Sequence, residues 1–579
     1  MKQYKSFMFK FLNFYIVAAA MLLTACSDFL DEHVPQATLS DEQVKSPENA
    51  EAMVVSAYAI FTTAEDINSS FSMWNFDVRS DDAYKGGNGT SDGDVFHQLE
   101  VQQGVLTTNW NINDMWVRLY NSLSRVNSAI ALLNESDYDL KQQRLAEMKF
   151  LRAYGHFLLK RLYKNIPFVV NENLTYDEYN QLSNTEYTND QGWQLIIDDL
   201  MEAYKTLPET QADKGRPTKA SAAAFLAKVY LYKAYHQDDA NSNQVTGINS
   251  DDLQKVIEFT APALYSNYGL EDDLHNNFRP EEQYENGRES LWAIQYSRND
   301  GSTYGNLNWS YGLIPPNIPG ATDGGCDFYK PSQNLVNAYR TGADGLPLLD
   351  TFNQKDYDKT ADNADPRLFL TVGIPGLPYM FNRNFMMEET SIWSRSNGLY
   401  GYNVSLKQNV DPALIDQYLI KGSYWASSMN RIVFRYADVL LMRAEAYAQL
   451  GQTDEAIKLV NQIRTRAAGS TQMVSSYQTL YGVKMYVANY KGSYTKDEAV
   501  RIVKMERRLE MGMESERFFD LVRWGDAATV LNKYFAEEIP HCAIYTSAHF
   551  NADKDEYLPI PFEQISASNG HYVQNCGNW

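Results

Sequence analysis

The chain has 579 residues, a formal net charge of −22 and a pI of ≈ 4.9. That length exceeds one simple core and suits a large helical body with insertions. The acidity argues against nucleic acid as a partner, because phosphate binding wants a basic patch, and suits an extracytoplasmic body that meets neutral ligands. The 40 tyrosines and 10 tryptophans, many outside the apolar periodic segments, suit stacking on sugar rings or on protein partners.

Residues 1–25 carry Lys2, Lys5 and Lys10 ahead of the apolar run FLNFYIVAAAMLLTA, the form of a secretory signal. The run is short for a spanning helix, which needs about 20 residues. It ends Leu23-Thr24-Ala25-Cys26, which resembles a bacterial lipobox; the resemblance implies that the Cys26 thiol takes a diacylglycerol and becomes the acylated N-terminus after cleavage. Several acyl chains make such anchoring stable. Residues 26–39 are then a lipid-anchored tether and 40–579 a single body; a transmembrane anchor is the alternative. With Cys26 lipidated, Cys326, Cys542 and Cys576 remain, an odd count. Cys542 and Cys576 are either a disulfide or two reduced, buried thiols, and their spacing matches no zinc motif.

Ser40 with Gln43 is a capping-box pattern ahead of a helix that runs to Phe61. From Asn68 to Trp110 the periodicity stops, and Asn-Gly and Asp-Gly pairs predict a long structured loop. Asn68, Asp81, Asp82, Asp92 and Trp110 there offer acceptors for hydroxyls and a stacking plane. Turn capping is the other reading of Asp81 and Asp82. Helical spacing then predicts three hairpins: 116–133 with 142–162, 190–207 with 218–235, and 432–450 with 453–466. Ala153 and Gly155 allow close approach in the first. Leu441, Ala444, Tyr447, Gly451 and Ala456 echo a tetratricopeptide unit in the third.

Between the second and third hairpins, roughly 265–430, the texture changes to Gly, Pro, Asn, Trp and Tyr. Pro315-Pro316, Pro319-Gly320 and Gly324-Gly325 forbid long regular elements, and insertions on a rigid scaffold are where binding residues concentrate. Trp309, Tyr311, Trp393, Tyr400 and Tyr424 offer stacking faces, and Arg395 a multi-donor fork toward hydroxyls. Cys326, after two glycines, either lines the pocket or is a small buried filler. Residues 501–526, RIVKMERRLEMGMESERFFDLVRWGD, read as an amphipathic helix with Glu514/Arg517 and Asp520/Arg523 spaced to bridge. Arginines and carboxylates crowded beside Phe-Phe and Trp predict guanidinium groups pairing in a semi-buried seam, against the plainer reading of solvated face charges.

Within this stretch, E-R-R-L-E followed by E-x-x-R-F-F-D-L-x-R-W-G resembles the C-terminal signature of SusD/RagB-type outer-membrane lipoproteins of Bacteroidetes. S-D-D-A-Y-K-G-G at 80–87, D-P-R-L at 365–368 and L-P-I-P at 558–561 resemble the same family; a structural role is expected of the second. The acidic residues that follow Cys26 resemble the surface-export signal of that phylum's lipoproteins. The resemblance implies a mainly α fold: a tetratricopeptide-like helical-hairpin scaffold of four pairs (about 40–264 and 430–579) whose loop-rich insertion carries the ligand site. It implies a surface lipoprotein that captures oligosaccharide and delivers it to a SusC-like TonB-dependent transporter, acting as a hinged lid. Asn68, Asp92, Trp110, Cys326 and Arg395 together resemble members that serve fructan (levan) uptake, with starch, xylan, pectin and host glycans as alternatives. From another class, the alternative is a peptide-import lid or a structural, adhesin-like lipoprotein. Catalysis is not expected. Asp81, Asp82, Asp92 and Asp94 show no spacing of a matched acid–base pair, and zinc, P-loop and Gly-x-Ser-x-Gly patterns are absent. Asp92-Gly93-Asp94 lacks the later Glu of a calcium loop, so neither a metal nor a cofactor is expected.

Overall fold

The computed structural model describes residues 46–62, 77–301, 305–390, 392–420 and 425–579. The signal, the lipobox and the proposed Ser40–Gln43 cap therefore lie outside the described residues. The first described helix, α1 (Pro47–Ala59), is capped by Ser46, whose hydroxyl accepts from the Asn49 amide while Pro47 takes the first helical position. A second short helix, α2 (Asp94–Val101), stands in the stretch that reads as loop.

The predicted hairpins form. α3 (Trp110–Glu135) packs on α4 (Lys141–Tyr163), and a Cβ on Gly155 of α4 would stand 2.8 Å from Leu123 of α3, so the close approach needs the glycine. α3 begins six residues ahead of the expected Trp116, because Asn109 caps it by accepting from the amides of Asn111 and Ile112. α5 (Asn189–Thr206) and α6 (Lys219–Ala234) each start at a capping box, Thr188 with Gln191 and Thr218 with Ser221. α7 (Ser250–Phe259) packs on α6. Further along, α8 (Tyr436–Gln449), α9 (Thr453–Gly469) and α10 (Lys496–Met511) pack on one another, followed by α11 (Arg517–Trp524) and α12 (Ala527–Glu538).

Two expectations need correction. Residues 431–435 are not helical: Arg431–Arg435 is a strand that pairs antiparallel with Ser290–Ile294, and α8 starts only at Tyr436. The β-branched and aromatic run Ile432-Val433-Phe434 favours that extended form. Nor is 501–526 one helix. The chain breaks between α10 and α11, with Met513 and Ser515 in the left-handed region at φ 62 and 66. A Cβ on Gly512 would stand 2.9 Å from Tyr339 Oη, and that hydroxyl donates to the Leu509 carbonyl, so the chain turns around Tyr339.

The break folds the arginine-rich stretch into a buried ionic seam. Arg435 bridges Glu289, Glu510 and Glu514 at 2.6–2.8 Å, and Arg367 bridges Asp365, Glu506 and Glu510 at 2.7–3.0 Å. Arg507 pairs with Asp438 and Asp520, and Arg523 with Glu445 and Asp520. The Asp520/Arg523 pair expected within one helix is present, but Glu514 turns to Lys407 and Arg435, and Arg517 to Asp81. These charges are buried rather than a solvated face.

The insertion has packing of its own. Ile318, Tyr379, Met387, Trp393, Leu406 and Trp425 form a small separate core, while Tyr311 joins another with Phe328 and Leu509. Cys326, Cys542 and Cys576 are all free thiols, so no disulfide joins the C-terminal pair. The end of the chain straps onto its beginning. Leu558 donates its amide to the Leu162 carbonyl, Asn575 donates to the Tyr163 carbonyl, and Arg79 reaches the Asp555 carbonyl, 476 residues away. Among the described residues, no helix is long and apolar enough to cross a membrane.

Candidate functional site

Two short strands, β1 (Ala83–Gly86) and β2 (Phe328–Pro331), pair antiparallel and bring the first loop against the insertion. Gly86 sits at φ +77, and a Cβ there would lie 2.4 Å from the Asp327 carbonyl oxygen. Past it the chain folds over Lys85, whose Nζ donates to the carbonyls of Gly86, Gly89 and Asp92 at 2.7–3.0 Å. Burial lowers the pKa of this lysine, with the carboxylates of Glu100 and Asp92 opposing. The result is a tight loop that presents Asp92 outward.

Asp92 Oδ2 accepts from the Asn88 amide at 2.8 Å and meets Arg395 Nη1 at 3.3 Å, each side chain 35% exposed. Arg395 is positioned by its own backbone amide, which donates to Asp327 Oδ2, and Asp327 is a buried partner of Lys330 at 2.8 Å. Half-buried Cys326 adjoins the pair: burial pushes its thiol pKa up, while Arg395 lowers it and Asp92 raises it. Trp110, the first residue of α3, leaves 49% of its surface open and is braced edge-on by Phe96 at 6.2 Å between ring centroids. Phe96 and Phe328 both abut Gly93, which ties the indole to the Asp92–Arg395–Cys326 group. The platform is therefore shallow, with one aromatic face and one half-exposed ion pair.

Other expected site residues lie elsewhere. Tyr400 is buried behind the platform, its hydroxyl 3.4 Å from Glu100 and its ring 5.4 Å from Lys85 Nζ, so it supports the loop instead of offering a face. Trp393 is buried edge-on against Tyr379, and Tyr311 lies in a core; neither presents a stacking plane. Trp309 is half-buried on the turn Trp309–Tyr311, and no ring contact or hydrogen bond joins its side chain to the platform among the described residues. Asn68 and Tyr424 lie outside the described residues.

Asp81 and Asp82 are neither hydroxyl readers nor simple turn caps. Both are buried against Arg508, and Asp81 also against Arg517. Burial alone would raise the Asp81 pKa, but the two guanidinium groups hold it down at about 2. Sequence reasoning missed Lys85, Asn88, Phe96 and Asp327, the supports of the platform. The signal was the run Lys85-Gly86-Gly87-Asn88-Gly89, a lysine amid glycines that free three carbonyls to face one ammonium. Among the described residues, no group of three or more His, Cys, Asp or Glu is placed to hold a metal ion.

Comparison with known proteins adds the following. The SusD family model matches residues 288–579, and a second model, described as "Starch-binding associating with outer membrane", matches residues 28–231. SusD-like protein P38 of Formosa agariphila is 27% identical over 539 residues, covering 92% of this chain and 94% of that protein. A SusD homologue from Bacteroides thetaiotaomicron superposes with a TM-score of 0.70 at 19% identity, covering 92% of this chain and 97% of that one. Surface glycan-binding protein A from the same species, solved in complex with laminarihexaose, gives 0.61 at 21%, covering 92% and 99%.

Proposed function

The chain belongs to the SusD family, and from that premise we propose that it is a glycan-binding surface protein of the outer membrane that uses the Trp110–Asp92–Arg395–Cys326 platform. In this reading Cys26 carries the lipid anchor, and a SusC-like TonB-dependent transporter receives the captured oligosaccharide beneath the protein as its lid. One observation carries the proposal: an indole braced from behind and open in front, beside an ion pair that is only half withdrawn from water.

The geometry suits sugar. An open aromatic face takes the apolar side of a pyranose or furanose ring, with order 1 kcal/mol per stack. Asp92 and Arg395 satisfy each other, and both keep enough exposure to accept from and donate to the hydroxyls of a ligand. Shallow stacking with a few polar contacts gives weak, reversible capture, which suits release into a barrel. Binding fits better than hydrolysis, because the paired aspartates of the first loop are held by Arg508 and Arg517 away from the platform. Fructan remains the favoured glycan on the platform's residue set, and laminarin joins the panel because a structural relative holds laminarihexaose.

The test is calorimetry of the protein starting after Cys26 against levan, inulin, laminarin, starch, xylan and mucin oligosaccharides. A single class of binder is expected, with Trp110→Ala weakening it roughly tenfold, since 1.4 kcal/mol is a factor of ten. Silence across the panel overturns the glycan reading and moves weight to a peptide cargo or a structural role.

A further inference from the structure

The tyrosine behind the platform also walls a second space. Beyond Tyr400 lies a cleft of about 360 Å³, lined by Tyr357, Lys359, Glu389, Tyr402 and Asn403 among others. Gly401, at φ 67, turns the chain between the two tyrosines: Tyr400 is buried toward Lys85, and Tyr402 stays half-exposed in the cleft.

Several polar groups in this cleft have no use within the fold. The Tyr357 hydroxyl is buried and makes no hydrogen bond, a condition that folded proteins generally avoid. Burial pushes its pKa up, so the proton stays available for donation. The side chains of Tyr402 and Asn403 make no hydrogen bond to the described residues. Charge is balanced. Lys359 Nζ donates to the Pro375 carbonyl at 2.6 Å and has no carboxylate partner, and Glu389 is exposed with no cation beside it among the described residues. One ammonium and one carboxylate in the same space favour a neutral, hydroxyl-rich ligand over a uronic or sulfated one.

The cleft is close to the platform along the chain. Arg395 and Tyr402 are seven positions apart, and the turn Asn397–Tyr400 between them is helical, so their Cα atoms lie within about 18 Å. We propose that the cleft is a second carbohydrate subsite, which takes neutral sugar residues of the chain whose other end sits on the platform. This rests on the platform being a glycan site. Its consequence is a preference for length, since a ligand that engages both surfaces gains from the second contact without a second association step.

The experiment is calorimetry with ladders of laminari-, fructo- and malto-oligosaccharides, short and long. The native protein is expected to bind the long members of one ladder roughly tenfold more tightly than the short ones. Tyr402→Ala with Asn403→Ala should abolish that gain and leave the short members unchanged, and Tyr357→Phe, which removes only a hydroxyl, should reduce it. A native protein indifferent to length, or variants that keep the gain, overturn the subsite while leaving the platform standing. No binding of any ladder or of the polysaccharide panel sinks both readings. Should the double variant lose its thermal transition, Tyr357→Phe decides alone, and an unchanged gain in it overturns the subsite.

Discussion

Two guanidinium–carboxylate arrangements in this molecule use the same chemical groups under opposite solvation. In the seam, Arg367, Arg435, Glu506 and Glu510 have side chains 0–1% exposed, and each guanidinium meets three carboxylates. At the platform, Arg395 and Asp92 are each about one-third exposed and meet only once. Burial removes the option of water, so every seam charge depends on its partners. Half-exposure preserves that option, and an exposed pair contributes only about 0–1 kcal/mol. A fixed architecture and an exchangeable ion pair thus arise from one chemistry placed at two depths.

The largest effect should come from breaking the seam. Glu510→Ala takes one carboxylate partner from each of Arg367, Arg435 and Arg466 at once. Removing one partner of a buried pair costs about 3–5 kcal/mol, so denaturant unfolding should show a loss at least that large, or no folded protein. A seam variant within 1 kcal/mol of the native protein would mean that water reaches these groups. Acid tests the same contrast. Burial would raise the Glu445 pKa, but Arg523 outweighs it and holds the carboxyl at about 2, below the value near 4.3 of an unfolded chain. A depressed carboxylate contributes stability that is present above the unfolded pKa and lost as pH falls through the folded one. The melting temperature should therefore fall between pH 4 and pH 2, and fall less steeply in Glu445→Gln.

A smaller effect should separate platform geometry from platform charge. Gly86→Ala forces a methyl against the Asp327 carbonyl in a left-handed conformation. The expected cost is about 1–3 kcal/mol, together with loss of glycan affinity through displacement of Cys326 and Arg395. Unchanged affinity in that variant would detach the β1–β2 pair from the site. The smallest effect on stability belongs to Arg395→Ala. Its melting should match the native protein to within about 0.5 kcal/mol while binding weakens, and a seam-sized loss would erase the contrast.

The helical scaffold was legible because each hairpin carries its period and its punctuation in a few adjacent residues. Thr188 with Gln191 and Gly155 opposite Leu123 are of this kind. The strand Arg431–Arg435 was lost because it runs into α8 with no glycine or proline between them. At the site, Asp92, Trp110, Cys326 and Arg395 stood out as polar or aromatic residues among turns, and the fold gathers them. Tyr311, Trp393 and Tyr400 carried the same local signal and are buried. Their partners (Tyr379 for Trp393, Glu100 for Tyr400) lie on other turns of the chain, so nothing adjacent in sequence distinguishes a packed loop aromatic from an open one. The aspartates of the first loop failed for the same reason, since Arg508 stands more than four hundred positions away.

The strap that ties Leu558 and Asn575 to the end of α4 bears on the order in which the molecule comes into being. A chain emerges from its N-terminus, so the first hairpin is complete long before the residues that seal it exist. Until they arrive, the carbonyls of Leu162 and Tyr163 and the guanidinium of Arg79 lack their final partners. Contacts this distant in sequence form slowly, and the first hairpin lacks this strap until residues 558–575 have been made. Maturation is thus gated by completion of the polypeptide, and a chain cut short before Leu558 should remain a loosely closed substrate for proteases rather than a smaller working protein.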